Sequence, residues 1–174
     1  MEIINLGTAD GLPPVDWSRI TETLEAGTAP AADAHNSRTT WLTTLNADGS
    51  PHVTAVGALW MDGTFWFQTG AKTHKAHNLA RDARCTVAVS ILDADVVMSG
   101  TAARVTDPDA VARAAEAWQG HGWPAEPDDS GTGLTAPFNA PAQGPPPWDV
   151  YRLEPRSATV TLGVEPGGLT RFRF

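Results

Sequence analysis

The sequence is poor in lysine. Among 174 residues only Lys72 and Lys75 are lysines, while basic residues number 12 in total and acidic residues 20. The formal net charge is −8 and the isoelectric point is about 4.9. A nucleic-acid-binding surface needs a broad basic face, so this charge balance argues against that class of partner. It also leaves the close spacing of the two lysines to be explained.

Cysteine is almost absent. Cys85 is the single cysteine of the chain, which excludes an internal disulfide framework and a four-cysteine zinc site. The residue lies in the apolar run Arg84–Val89, where a buried and unreactive thiol is expected.

Long apolar runs are missing too. No window of the sequence approaches the roughly 18 apolar residues that a membrane-spanning helix needs. The first residues, MEIINLGTADG, have neither the basic nor the apolar region of a signal peptide. We therefore expect a cytoplasmic protein without a membrane partner.

What the sequence does contain is the composition of one globular domain, with 41% hydrophobic and 18% charged residues. Residues 1–37 are expected to form an N-terminal arm and a helix, and residues 38–174 the main domain. Within the first part, residues 1–13 are predicted to be irregular and Pro14–Ala26 helical, followed by a linker of small residues over 27–38.

Short β-rich runs dominate the rest of the chain, separated by turn signals such as Asp48-Gly49 and Asp62-Gly63. We predict helices over Lys75–Arg81 and Pro108–Gly120, and a long ordered loop or lid over 121–147, which holds seven of the 14 prolines. This pattern predicts a mainly β protein, a six- to eight-stranded antiparallel β-barrel with two or three peripheral helices. The predicted strands are 39–45, 51–60, 65–69, 84–92, 96–105, 148–153, 159–164 and 169–174.

The two lysines lie in GAKTHKAHN, residues 70–78, which follows a predicted strand and begins a predicted helix. A helix N-terminus offers unpaired N–H donors and the positive end of the macrodipole. Thr73 can cap the helix or donate to a phosphate, and Lys72 and Lys75 bring charge to the same place. The stretch therefore indicates an anion site; a solvated basic surface loop is the alternative.

Other candidate groups carry weaker signals. His74 and His77 have a spacing that could bind a metal from one helical face, which leaves a metal-dependent enzyme as a further option, although we assign no metal. His52 could act as a catalytic base or be a polar residue on a half-buried strand. The seven tryptophans mostly indicate core packing, with one or two available to line a flat aromatic slot.

The sequence resembles the flavin and deazaflavin oxidoreductases of the pyridoxamine 5′-phosphate oxidase-like, FMN-binding split-barrel superfamily, in their actinobacterial branch. The resemblance covers residues 38–174 and rests on motifs that occur in order along the chain. These motifs are WLTT at 41–44, DGSPHV at 48–53, GTFWFQTG at 63–70, KTHKAHNL at 72–79, RDARC at 81–85, GPPPWDVYRLEP at 144–155 and TRFRF at 170–174.

This resemblance implies a homodimeric split barrel with two cofactor sites at the subunit interface. It implies that FMN or the deazaflavin coenzyme F-420 is held by its phosphate at the strand-to-helix turn, through Lys72, Thr73, Lys75 and Asn78. It further implies that the ring lies over Val53, Thr54, Ala55 and Val56, with Phe67, Gln68 and Thr69 beside it.

The expected function is therefore hydride transfer between FMN or F-420 and a small organic substrate. No Ser-His-Asp or paired-carboxylate arrangement stands out, which agrees with a reaction carried by the cofactor ring. The alternative is a non-catalytic module that carries a flavin, a haem or a similar ring. Oxidation of pyridoxamine 5′-phosphate itself is less expected, because the tail Arg171–Phe174 departs from the arginine-leucine-proline type and has Phe172 where the branch has tryptophan.

Overall fold

The computed structural model describes residues 1–27 and 39–174, and this part of the chain is mainly β. It contains three α-helices, α1 (Trp17–Glu25), α2 (His74–Arg81) and α3 (Pro108–Gly120), and a 3-10 turn over Thr8–Asp10. One antiparallel sheet of 11 strands accounts for the rest of the regular structure. Its strands are β1 (Glu2–Asn5), β2 (Thr40–Leu45), β3 (Pro51–Val56), β4 (Leu59–Met61), β5 (Thr64–Gly70), β6 (Arg84–Ile91), β7 (Ala94–Val105), β8 (Glu126–Pro127), β9 (Gly133–Thr135), β10 (Trp148–Leu162) and β11 (Gly168–Arg173).

Strand β10 organises the sheet. It pairs with β7 along most of its length, with β5 over Trp148–Arg152 and with β11 over Ser157–Leu162. Beyond β7 the sheet continues through β6 and β2 to β3, whereas β5 leads to β4. No described strand joins β3 to β4 or β5, so the sheet is not closed. The predicted fold class, a mainly β antiparallel architecture with peripheral helices, is confirmed, but the sheet has 11 strands where six to eight were predicted.

The strand boundaries differ from the sequence prediction at four places. The short strands β8 and β9 lie within 121–147, where a long ordered loop or lid was predicted. Residues Glu2–Asn5 form a strand against β11, where an irregular arm was predicted. The two strands predicted over 148–153 and 159–164 are one strand of 15 residues, because a bulge between Pro155 and Ser157 lets the ladder continue past the proline. The strand predicted over 51–60 is two, β3 and β4, interrupted at residues 57–58. The boundary predicted between residues 37 and 38, and all of the linker except Gly27, lie outside the described residues.

Two helices begin as their sequences predict. Asp107 caps α3 by accepting from the N–H of Ala110, and Pro108 takes the first helical position. Thr73 caps α2. The first helix is shorter than predicted and begins at Trp17, because Asp16 is its N-cap and accepts from the N–H of Ser18.

Two hydrophobic clusters hold these elements together. The first lies within the sheet and includes Leu42, Phe67 and Val87, with Ile20 and Leu24 of α1 packed on it. The second lies between α3 and the β4, β5 and β10 strands, and its largest members are the tryptophans Trp66, Trp118 and Trp148. Trp17, Trp60 and Trp123 pack against the clusters as well, so six of the seven tryptophans serve packing as expected, whereas Trp41 is 50% exposed.

Cys85 is buried, and burial raises the pKa of its thiol to about 12. The prediction of an unreactive buried thiol agrees with this placement. Within residues 1–27 and 39–174, no helix is long and apolar enough to cross a membrane.

Candidate anion site at the start of helix α2

The turn from β5 into α2 presents a capped helix N-terminus. The Oγ1 of Thr73 accepts from the N–H of Ala76 at 3.3 Å and lies 2.8 Å from the Oγ1 of Thr69. Thr69 is fully buried at the end of β5, so the position of the cap is fixed by the sheet. The structure thus brings together two predicted site residues, one from each element.

Lys75 is the unusual residue of this turn. It lies on the first turn of α2 and its side chain is buried, with 3% exposure. Its Nζ donates to the backbone oxygen of Ala142, and it takes part in none of the ion pairs between described residues. Burial lowers the pKa of this ammonium below its ordinary value of 10.5. A buried ammonium without a carboxylate is costly unless an anion joins it.

Lys72 is placed differently. It precedes the helix and its side chain is exposed, so the two lysines do not contribute equally to this corner.

Asn78 forms the centre of a hydrogen-bond network behind the turn. Its Nδ2 donates to the Oγ1 of Thr44 and to the Oδ1 of Asn46, both at 3.1 Å. Its Oδ1 accepts from both terminal nitrogens of Arg81, at 3.3 and 3.2 Å. With its amide engaged on both sides, Asn78 ties α2 to the β2–β3 hairpin.

Sequence reasoning missed three members of this network: Thr44, Asn46 and Arg81. Asn46 lies two residues before the Asp48-Gly49 turn, and its Oδ1 also lies 2.8 Å from the Nε2 of His74. Arg81 also donates to the backbone oxygen of Leu45. The signals in the sequence were the presence of Thr44 and Arg81 in two of the quoted motifs. The contacts themselves depend on how the hairpin packs on the helix.

On the other side of this turn, the backbone of segment 140–144 lies close to the backbone of β5. The N–H of Gly70 donates to the oxygen of Gln143 at 3.2 Å. A Cβ built on Gly70 would lie 2.4 Å from that same oxygen, so only glycine fits there. The segment 140–144 is thereby held against β5, and its Ala142 oxygen reaches Lys75.

Strand β3, which carries the residues predicted to lie under a cofactor ring, is at the border of the sheet. It pairs with β2 and with no other described strand, so half of its backbone groups face away from the ladder. Val53 is 55% exposed, whereas Val56 is 7% exposed. The rings of His52 and His74 lie 4.7 Å apart between centroids, which places the start of β3 beside the start of α2.

The remaining predicted residues lie on β5 and differ in accessibility. The Phe67 side chain is fully buried within the sheet and stacks on Tyr151 at 5.4 Å between ring centroids. Gln68 is buried on the other face of the strand, with 2% exposure. Because side chains alternate along a strand, Phe67 and Gln68 cannot serve the same side of a ligand.

The possible metal site at His74 and His77 gains no third ligand among the described residues. Among the described residues no group of three or more histidine, cysteine or acidic side chains is close enough to hold a metal ion. His74 instead contacts Asn46 and the ring of His52.

The fold is that of an antiparallel split-barrel protein, and the start of α2 is its candidate anion site. The chain belongs to the pyridoxamine 5′-phosphate oxidase family, because the model that describes this family matches residues 29–156. A comparison with curated proteins finds no match.

Solved structures share the fold at low sequence identity. A conserved hypothetical protein from Mycobacterium tuberculosis is 23% identical, with a TM-score of 0.57 over 83% of this chain and 82% of that one. A pyridoxamine 5′-phosphate oxidase-related, FMN-binding protein from Nostoc punctiforme is 14% identical, with a TM-score of 0.57 over 87% and 86%. A NimC/NimA family protein from Clostridium acetobutylicum is 14% identical, with a TM-score of 0.57 over 90% and 91%. At these identities the likeness establishes the fold.

Proposed function

We propose that this protein is an oxidoreductase that binds FMN or coenzyme F-420 by its phosphate at the start of α2. The observation that carries the proposal is Lys75, a buried ammonium whose described polar contact is a single backbone oxygen. The phosphate of FMN, a monoester that is dianionic above about pH 6, supplies the missing negative charge, and the phosphodiester of F-420 supplies a single negative charge. Membership of the pyridoxamine 5′-phosphate oxidase family supports a flavin as the bearer of that phosphate.

The residues present fit such a group. Thr73 and the first N–H groups of α2 offer hydrogen bonds to phosphate oxygens. The open border of β3 at Val53–Val56 offers backbone donors and acceptors to a ring. When bound, the cofactor would supply hydride chemistry, and the chain would supply binding, orientation and exclusion of water.

The proposed assembly is a homodimer with the cofactor sites at the subunit interface. Trp41 and Val53 are 50% and 55% exposed and lie on one face, since Trp41 pairs with Ala55 and Thr43 with Val53. Val97 continues this face through Ala88 and is 41% exposed. An exposed apolar face beside an open strand border is typical of a subunit contact.

The test is a titration of the purified protein with FMN, riboflavin and F-420, followed by flavin or deazaflavin fluorescence. We expect FMN or F-420 to bind in the micromolar range and FMN to bind at least tenfold more tightly than riboflavin, which lacks the phosphate. If neither cofactor binds, the proposal is wrong. If riboflavin binds as tightly as FMN, the phosphate assignment at α2 is wrong.

A second measurement separates the oxidoreductase from a non-catalytic carrier. The protein is loaded with reduced cofactor and its reoxidation is followed with a panel of quinones and nitroaromatic acceptors. An oxidoreductase should be reoxidised faster than free reduced cofactor by at least one acceptor. A carrier should slow reoxidation by every acceptor tested.

A further inference from the structure

A cavity of about 340 Å³ lies where the two hydrophobic clusters meet, since its lining includes Leu24, Phe65 and Ile91 of the first cluster and Leu59 and Trp118 of the second. It is bounded by the end of α1, the β3–β4 connection, β5, the last three residues of β6 and the end of α3. Of the eleven residues predicted for the cofactor, only Gln68 lines it. The cavity is therefore not the site at the start of α2, and its size is that of small-molecule pockets.

Four buried polar atoms in the described chain have no hydrogen-bond partner there, and all four belong to residues of this cavity. They are the Nε1 atoms of Trp60 and Trp123 and the Oε1 atoms of Gln68 and Gln143. The two glutamine residues are more than nine-tenths buried, with exposures of 2% and 9%. Buried polar groups in proteins are nearly always paired, so four unpaired groups around one cavity indicate a ligand.

The chemistry of these atoms describes that ligand. The two indole N–H groups are donors only, and the two amide oxygens are acceptors. Trp118 also lines the cavity, but its Nε1 already donates to the oxygen of Gly57 at 3.1 Å. The ligand must therefore carry both acceptors and donors on its rim.

The charge of the lining disfavours a phosphate at this place, since His121 is the one basic side chain among the described lining residues. None of the described lining residues is a lysine or an arginine, and the one carboxylate, Glu25, is exposed. The aromatic rings of Trp60, Phe65, Trp118 and Trp123 contribute to the walls, and such walls favour flat molecules.

We propose that this cavity is a second binding site, for an uncharged planar molecule with hydrogen-bond donors and acceptors on its rim, such as an aromatic amide or a lactam. The site is built by Trp60, Trp123, Gln68 and Gln143. It does not require a cofactor at the start of α2, so it stands independently of the proposed function.

The test uses cofactor-free protein and the probe benzamide, with benzoate and toluene as probes of the same ring that are charged or lack hydrogen-bonding groups. Binding is followed by the indole ¹H–¹⁵N resonances of the tryptophans, with two of them assigned through Trp60→Phe and Trp123→Phe. We expect benzamide to move both resonances saturably, and benzoate and toluene to bind at least tenfold more weakly.

Substitutions test the named contacts. In the double variant Trp60→Phe/Gln143→Met, the dissociation constant of benzamide should rise about tenfold, since two hydrogen bonds are lost. Trp17→Phe is the matched control, because Trp17 packs on Phe172 and does not line the cavity, and it should leave binding unchanged. Melting temperatures confirm that each variant is folded; if the double variant is not, Gln143→Met alone takes its place, with a rise of about threefold.

Several results would overturn the proposal. Equal affinity for benzamide and toluene would mean that the polar atoms do not select the ligand. Unchanged affinity in the folded variants, or a benzamide-soaked crystal with ordered waters alone in the cavity, would contradict the site. Displacement of benzamide by FMN would make the cavity part of the cofactor site instead, whereas a failure of FMN to bind would leave this inference intact.

Discussion

At the scale of single residues, the two lysines of the chain differ in their burial. Lys72 is exposed and Lys75 is buried against the oxygen of Ala142. A charge at the surface is screened by water and salt, whereas a charge in a partly desolvated site is screened less. Lys75 should therefore dominate the binding of a phosphate.

The substitution Lys75→Met tests this asymmetry. We expect FMN affinity to fall by about thirtyfold, equivalent to about 2 kcal/mol for a lost charge-assisted hydrogen bond. The matched variant Lys72→Met should weaken binding by about threefold or less. Isothermal titration of both variants, each with riboflavin as a phosphate-free ligand, provides the comparison; equal losses in the two variants would contradict the asymmetry.

The lowered pKa of Lys75 predicts a pH dependence with a definite sign. Phosphate binding needs the charged ammonium, so FMN affinity should fall as pH rises through a pKa that lies below 10.5. The protein without cofactor should become more stable over the same range, because there the unfolded chain binds more protons than the folded chain does. Fluorescence titrations from pH 7 to 10, with Lys75→Met and riboflavin as controls, measure the first effect. A pH profile of FMN binding that is identical in wild type and Lys75→Met would contradict it.

At the scale of elements, the candidate anion site depends on how β5 leads into α2 and on how the 140–144 segment packs against β5. Thr73 terminates the extended backbone and caps the helix. Gly70 permits the close contact with Gln143. Each of these contacts can be removed by one substitution.

Thr73→Ala should lower the free energy of unfolding by about 1 kcal/mol, the usual cost of losing an N-cap. It should also weaken FMN binding, because the hydroxyl is a candidate phosphate donor. Thr73→Ser keeps the cap oxygen and should retain both properties. Urea denaturation and FMN titration of the two variants make the test, and an alanine variant as stable as the serine variant would argue against the cap.

Gly70→Ala should push the 140–144 segment away from β5, because the new Cβ would lie 2.4 Å from the Gln143 oxygen. We expect a loss of stability of about 1–3 kcal/mol and faster hydrogen exchange at the amides of residues 140 and 143–144. Gly120→Ala is the control, since a Cβ at Gly120 meets nothing within 4 Å. Exchange rates that stay unchanged in Gly70→Ala would show that the segment does not depend on this contact.

How far the sequence predicts these elements depends on how local their causes are. The start of α2 was predictable, because a strand, a cap threonine and a helix follow one another within a few residues. The burial of Lys75 was not, because it depends on a carbonyl 67 positions away. The network of Asn78 was likewise hidden, since its partners come from the β2–β3 hairpin.

The long strand β10 shows the same limit. Pro155 lies between the predicted strands 148–153 and 159–164, and only the pairing of β10 with β7 shows that a bulge lets one strand continue past it. The cavity with its four unpaired polar atoms gave no sequence signal at all, because its lining comes from six separate parts of the chain.

At the scale of the whole molecule, the proposed homodimer would cover the exposed face of β2 and β3. Val53→Glu places a charge on that face and should shift the protein from dimer to monomer, with loss of FMN affinity if the cofactor site needs both subunits. Leu92→Glu is a control of matched exposure, 54% against 55%, located in the turn between β6 and β7. Sedimentation velocity over a range of concentrations gives the answer, and a Val53→Glu protein that stays dimeric would place the interface elsewhere.

Strand β10 also sets the order in which the chain can complete its fold. β5 and β7 lie long before it in the sequence, yet each finds a ladder partner in β10. During synthesis the edges of β5 and β7 that pair with β10 therefore stay unpaired until residues 148–162 have left the ribosome. Contacts so distant in sequence slow folding and expose unpaired strands to other chains. A chain cut short before Trp148 should accumulate as aggregate, whichever molecule the finished protein binds.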